Sequence, residues 1–219
     1  MEHAEIIQKT IAFTRQTLED AEGGHDWWHI HRVWTNAKHI ADAEECNILV
    51  VELAALLHDI ADAKFHNGDE EIGPETAGKF LRSLGIDPEI IEHVQQIIRH
   101  MSYKTSFDQR MFHSKELDIV QDADRLDAMG AIGIARAFSY GGFMGREIYN
   151  PEIEPNLAMS KEEYKKSAAP SINHFYEKLL LLKDKMNTIT GKQMAEQRHV
   201  FMELYLGQFY HECDIGIKK

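Results

Sequence analysis

The sequence predicts an all-α fold, and three observations support this prediction. Apolar residues recur at helical spacing, for instance at Val33, Ala37 and Ile40, which marks one face of a helix. Residues that favour helix starts and stops flank such segments, as Asp26 and Gly85 do. No stretch shows the alternation of apolar and polar residues that is typical of a half-buried strand.

Each predicted helix has its own signals. Gly23 and Gly24 end the first helix, and Asp26 is placed to cap the second. The third is an apolar run that Glu52 alone interrupts before His58. The predicted helices span residues 3–20, 27–45, 49–60, 74–84, 88–101, 115–139, 160–188 and 190–212.

The later helices are delimited in the same way. Pro74 suits the first turn of the fourth helix, and Asp87 with Pro88 starts the fifth. Residues 102 to 114 are predicted to form a loop, and the sixth helix has room for a bend. We expect one domain over residues 1–219, with a core of about 1–140, a lid loop of about 141–158 and C-terminal helices of about 160–212.

Composition narrows the classes of partner. The formal net charge of -12 argues against binding to nucleic-acid polymers or anionic membranes. The apolar runs are far shorter than a membrane span, and the N-terminus lacks the basic region of a signal peptide. Cys46 and Cys213 could pair, but such sparse cysteine usage fits a reducing compartment better. We therefore expect a cytoplasmic protein.

Four inward polar residues form a candidate metal site. His58 and Asp59 end the apolar third helix, and burying such a pair is costly unless something satisfies it. His29 shares the apolar face of the second helix, and Asp124 lies among apolar residues of the sixth. Three helices thus supply two imidazoles and two carboxylates, a set that suits Mn²⁺, Fe²⁺, Ni²⁺, Mg²⁺ or Zn²⁺.

The sequence around these residues resembles that of a known protein family. The segments are His25-Asp26-Trp27-Trp28-His29, Leu56-Leu57-His58-Asp59-Ile60, and Asp122-Ala123-Asp124-Arg125-Leu126-Asp127. Their order resembles the H…HD…D signature of the HD-domain metal-dependent phosphohydrolases. The chain is most similar to the small stand-alone bacterial subgroup typified by YedJ and YpgQ, over about residues 1 to 180.

The resemblance implies a fold, an activity and a ligand set. The fold is an HD-domain helical bundle with extra C-terminal helices, and the metal ligands are His29, His58, Asp59 and Asp124. The activity is phosphohydrolysis by attack of a metal-bound water on a small-molecule phosphate. The expected reaction converts a nucleoside triphosphate to the monophosphate and pyrophosphate, or cleaves another phosphoester or anhydride.

The resemblance also implies catalytic roles beside the ligands. Asp59 and Asp62 are the predicted catalytic carboxylates, and Asp62 would transfer a proton or orient the water. The next acid in related guanosine-polyphosphate hydrolases is replaced by Ala63 here, which weakens any prediction of that activity.

Phosphate charge needs cationic or hydrogen-bonding partners. The predicted substrate-binding residues are Lys64, His100, Lys104 and Arg125. His93 and His100 also fall where some members of the wider superfamily hold a second metal, so that a second ion is left open.

Each residue has a plainer reading when taken alone. A single His29 or Asp124 would more often be a satisfied core histidine or an ion-pair partner; only their joint occurrence in order favours a metal. Manganese is the favoured ion. Two rival functions stay open: a nucleotide-sensing domain without turnover, and a two-iron oxygenase that would need His93 and His100 as ligands. A homodimer is also left open.

Overall fold

A computed structural model describes residues 1–19, 26–61, 71–101, 112–159 and 167–214. These residues form nine α-helices and no strand, so the predicted all-α class is confirmed. The helices are α1 His3–Thr17, α2 Trp27–Ala41, α3 Ile48–Leu57, α4 Ile72–Ser83, α5 Pro88–His100, α6 Lys115–Asp127, α7 Gly130–Phe143, α8 Asn173–Glu177 and α9 Ile189–Asp214.

The capping residues behave as the sequence predicts. The Asp26 side chain accepts a hydrogen bond from the backbone N–H of His29, and the Asp87 side chain accepts one from Glu89. Pro88 occupies the first turn of α5, where its missing N–H costs nothing. Gly85 follows α4 with a φ of 72°, a conformation that glycine adopts without steric cost.

The chain divides into two compact units, Met1–Asp124 and Arg125–Lys219. In the first unit α3 packs against α1, α2 and α5, and α4 packs against α5. All eight residues from Val50 to Leu57 are buried, so α3 is surrounded by other elements on every side. This unit contains all four predicted metal ligands.

The second unit is built around α9. This helix packs against α7 and against a 3-10 turn at Lys183–Lys185. Phe175 of α8 is fully buried, and its ring lies near Phe138 and Tyr205 at centroid distances of 6.0 Å for both. Aromatic packing of this kind adds to the area that the unit buries.

The single helix predicted over residues 115–139 is two helices. α6 ends at Asp127, Met129 adopts an extended conformation, and α7 begins at Gly130 with a φ of 66°. The positive φ interrupts the helical path, because helix interiors need φ near -63°. α7 then continues to Phe143, two residues beyond the predicted start of the loop.

The prediction of one long helix over residues 160–188 is wrong for the part that the structure describes, residues 167–188. That segment holds α8, with five residues, and 3-10 turns at Leu179–Leu181 and Lys183–Lys185. Pro170 disfavours helix at the residue before it, and Lys178 has φ -146° and ψ -56°, outside the helical region. None of the described helices has the length and apolarity needed to cross a membrane.

Candidate metal centre

His29 is held on the buried side of α2. The Asp26 cap fixes the first turn of the helix through the 2.9 Å bond to the His29 backbone. The His29 side chain is only 3% exposed, and Ile30 and Val33 beside it are fully buried. An imidazole at this depth needs a polar partner.

His58 follows α3 directly and has a defined tautomer. Its Nδ1 lies 2.9 Å from the carbonyl oxygen of Ala55, and a carbonyl can only accept a hydrogen bond. Nδ1 therefore carries the proton in the neutral ring, and Nε2 presents its lone pair. Metal-binding histidines are commonly oriented by such a bond from the other ring nitrogen.

The Nε2 atoms of His29 and His58 approach the same carboxylate oxygen. Asp124 Oδ1 lies 3.6 Å from His29 Nε2 and 4.0 Å from His58 Nε2. Donor atoms of His29, His58 and Asp59 lie within 4.8 Å of one another. An ion about 2.0–2.2 Å from each ligand separates two ligand atoms by at most roughly 4.4 Å, so small side-chain rotations would bring these atoms onto one ion.

The donor chemistry matches the geometry. Two neutral imidazoles and two carboxylates form a mixed nitrogen and oxygen set that first-row divalent ions accept. The Asp124 side chain is 41% exposed whereas both imidazoles are nearly buried. The carboxylate side of the cluster therefore faces solvent, which is the direction from which a substrate could reach it.

His100 and His93 both lie near one aromatic ring. The Phe112 ring lies 5.4 Å from the His100 ring and 5.7 Å from the His93 ring. His93 Nε2 lies 2.9 Å from Ser114 Oγ and 3.5 Å from a Glu116 carboxylate oxygen. His100 Nδ1 lies 2.8 Å from the Gln96 carbonyl, so its Nε2 is the nitrogen that faces away from α5.

The remaining predicted substrate-binding and catalytic residues are Arg125, Asp62, Lys64 and Lys104. Arg125 belongs to the second unit, where its Nη1 donates a 2.8 Å hydrogen bond to the Lys185 carbonyl. Asp62, Lys64 and Lys104 lie outside the described residues, so their roles stay predictions.

Sequence reasoning missed groups that contact the candidate ligands or their neighbours in the chain. The Ala55 carbonyl sets the His58 tautomer, and the Asn36 side chain lies 3.5 Å from the carbonyl of Ala123, the residue before Asp124. Asn36 is seven residues after His29, on the same face of α2, and that spacing was a usable signal. A main-chain carbonyl leaves no signal in a sequence.

Comparison with known proteins identifies the family. The model of the HD domain family matches residues 27–129. A crystal structure of an HD-superfamily hydrolase from Bacillus thuringiensis is 45% identical, with a TM-score of 0.79 and coverage of 97% of this chain and 99% of that one. The chain belongs to the HD-domain superfamily of hydrolases.

YpgQ of Bacillus subtilis (strain 168) is a relative over almost the whole length. It is 34% identical over 212 residues, which cover 95% of this chain and 94% of YpgQ. Its crystal structure in complex with ADP aligns with a TM-score of 0.74 and covers 97% of both chains. HD domains generally bind divalent metals, and the clustered residues His29, His58 and Asp59 form a candidate site for one.

Proposed function

We propose that this protein is a metal-dependent phosphohydrolase that cleaves a phosphoanhydride or phosphoester bond of a nucleotide. The observation that supports the proposal is the approach of two imidazole Nε2 atoms to the same Asp124 oxygen, at 3.6 and 4.0 Å. Asp59 contributes a further donor to the same cluster. Four ligands would leave open positions on an octahedral ion, as hydrolytic metal sites require.

Different residues of the chain would bind the metal ion and transfer protons. His29, His58, Asp59 and Asp124 would hold the ion, with His58 kept in the Nε2-binding tautomer by the Ala55 carbonyl. A bound divalent ion would supply Lewis acidity and lower the pKa of water at the site. Asp59 and Asp62 would be the carboxylates that accept a proton from the nucleophile or orient it.

A nucleotide is the substrate class that the relatives favour. YpgQ, at 34% identity, has been crystallised with ADP, and a nucleoside triphosphate would be cleaved to the monophosphate and pyrophosphate. Because the net charge is -12, local cations must offset the repulsion of a polyphosphate. We propose His100, Lys64, Lys104 and Arg125 for this role, and Mn²⁺ as the favoured ion.

The two-iron oxygenase is the less favoured alternative. It would need His93 and His100 on a common second ion. The Phe112 ring contacts both imidazoles, and His93 is engaged by Ser114 and Glu116. This arrangement favours a single metal centre for the described residues.

A release assay tests the proposal. Metal-stripped protein would be incubated with nucleoside triphosphates, nucleoside diphosphates and a simple phosphomonoester, each with Mn²⁺, Mg²⁺, Ni²⁺ or Fe²⁺. Phosphate and pyrophosphate would be measured separately. We expect turnover only with added metal, loss of turnover in His58→Ala, and retention in the exposed control Glu75→Gln.

Metal binding without release of either product from any substrate would contradict the proposal. Iron-dependent oxygen consumption together with two irons per chain would move the assignment to the oxygenase.

A further inference from the structure

α3 carries one charged residue in an otherwise apolar sequence. The helix reads Ile-Leu-Val-Val-Glu-Leu-Ala-Ala-Leu-Leu, and Glu52 is its only polar side chain. Glu52 is 5% exposed, and burying a carboxylate costs several kcal/mol unless it is well paired. A residue this costly in the centre of the helix needs a physical explanation.

Both carboxylate oxygens of Glu52 are engaged by neighbouring helices. One oxygen accepts a 3.0 Å hydrogen bond from Trp34 Nε1 of α2, and Lys38 Nζ of the same helix lies 4.0 Å from it. The other oxygen lies 2.5 Å from His3 Nε2 of α1. Lys38 also lies over the Trp34 ring, 4.8 Å from its centroid. Glu52 therefore joins three helices of the first unit.

Apolar packing alone specifies the rotation of α3 weakly. A helix that is apolar on all sides can present different faces to its neighbours at similar burial, and a single buried polar residue is a known means of fixing one register. Thr14 also bonds to α3, but through the main-chain carbonyl of Leu56. Every residue offers such a carbonyl, so that bond does not select one face of the helix.

The rotation of α3 decides where His58 points. His58 and Asp59 follow α3 directly, six and seven residues after Glu52. A slip of one residue turns the helix by about 100°, which would aim both ligands away from His29. Trp34, the partner of Glu52, lies on the same helix as His29.

We propose that Glu52 is a positioning residue that fixes the rotation of α3 against α2 and thereby aims His58 and Asp59 at His29. The link to metal affinity rests on the proposed metal centre, whereas the rotation of α3 does not. The Glu52 network sets the rotation of α3, even though apolar residues at the same positions would stabilise the fold equally well.

The test compares two variants of the full chain. Glu52→Met combined with Trp34→Phe removes the pair from both sides and leaves no orphaned donor on the indole. Glu52→Gln keeps an oxygen for Trp34 and an amide for His3. Thr10→Val, which removes a buried hydrogen bond to Ile6 within α1, is the control for general destabilisation. Mn²⁺ binding would be measured by calorimetry, and the unfolding midpoint by circular dichroism.

We expect the double variant to unfold at or above the midpoint of the parent protein, yet to bind Mn²⁺ at least about tenfold more weakly, as loss of a supporting contact typically does. Glu52→Gln should bind within about threefold of the parent. Thr10→Val should lower the midpoint and leave the affinity unchanged. A double variant that binds Mn²⁺ as tightly as the parent would overturn the proposal.

Metal-free protein gives an independent readout. Amide resonances of residues 53 to 59 should move in the double variant and stay near their parent positions in Glu52→Gln. Superimposable spectra for all three proteins would overturn the positioning role. A parent protein that binds no Mn²⁺ would instead reject the proposed metal centre, and the spectra would still decide the role of Glu52.

Discussion

The tautomer of His58 shows how one main-chain atom can orient a candidate metal ligand. The Ala55 carbonyl, 2.9 Å from Nδ1, makes Nε2 the lone-pair nitrogen. Asp124 lies on the opposite side of the cluster with its carboxylate 41% exposed. Burial therefore holds both histidines and a hydrogen bond orients His58, whereas Asp124 is the candidate ligand that can be changed with least harm to packing.

Replacing Asp124 by Asn should weaken metal binding without unfolding the protein. The amide keeps the shape but loses the charge, so we expect Mn²⁺ affinity to fall by at least about 100-fold, beyond the usual effect of a supporting residue. Because the side chain is partly exposed, the unfolding midpoint of the metal-free protein should stay close to the parent value. Calorimetry and thermal melts check both points. Unchanged Mn²⁺ affinity would remove Asp124 from the ligand set.

Asp127 illustrates a residue whose role the sequence leaves open. It lies three residues after Asp124 and is 1% exposed. Its carboxylate is paired with Arg136 Nη1 of α7. Arg198 of α9 donates to the neighbouring Leu126 carbonyl. These contacts explain Asp127 as a buried ion-pair partner within the second unit, since an unpaired carboxylate at that depth would be strongly destabilising.

At the scale of the element, α7 depends on small residues at particular positions. A Cβ added at Gly133 would lie 2.2 Å from the main-chain oxygen of Ala128, and a backbone atom cannot move aside cheaply. A Cβ added at Gly142, in the same helix, would meet nothing within 4 Å. The two glycines share a helical context and differ in their surroundings.

Gly133→Ala should therefore destabilise the protein and Gly142→Ala should not. We expect the first to lower the free energy of unfolding by about 1–3 kcal/mol through overpacking. The second should raise it by up to about 1 kcal/mol, because alanine is the better helix former. Urea unfolding of the two variants beside the parent checks the difference. Equal effects would show that the close approach to Ala128 is absent in solution.

At the scale of the whole molecule, the partly buried His174 links stability to pH. Burial lowers the pKa of His174 to about 4, with smaller contributions from the positive charges of Lys178 and Arg146. The pKa of an exposed histidine is about 6.5. Between those two values the unfolded chain binds more protons than the folded one, so the free energy of unfolding decreases as the pH falls from about 6.5 to about 4.

His174→Gln should flatten this acid dependence. The contribution of the neutral imidazole is complete above about pH 6.5, and as much as about 3 kcal/mol of it is lost by about pH 4. The difference in unfolding free energy between pH 7 and pH 4.5 should thus be smaller in the variant than in the parent. His211→Gln, at an exposed position of α9, is the control. An unchanged difference in His174→Gln would show that His174 is not the group responsible.

The sequence by itself determined the all-α class and the capped starts of α2 and α5, because periodicity and capping depend on residues that are neighbours in the chain. Asp26 and Asp87 cap as predicted. The same local reasoning failed at residues 167–188, where Pro170 and the non-helical Lys178 outweigh a helix-favouring composition. The candidate metal ligands His29, His58, Asp59 and Asp124 could be chosen from pattern and spacing, since each ends or lines an apolar face.

Only the tertiary structure decided how those residues meet. The distances of 3.6 and 4.0 Å to Asp124 depend on the packing of separate helices, which no local pattern encodes. The same holds for the contacts of the Phe112 ring with His93 and His100, and for the three-helix contacts of Glu52. Chain neighbours fix the elements, whereas contacts between residues far apart in sequence fix the site.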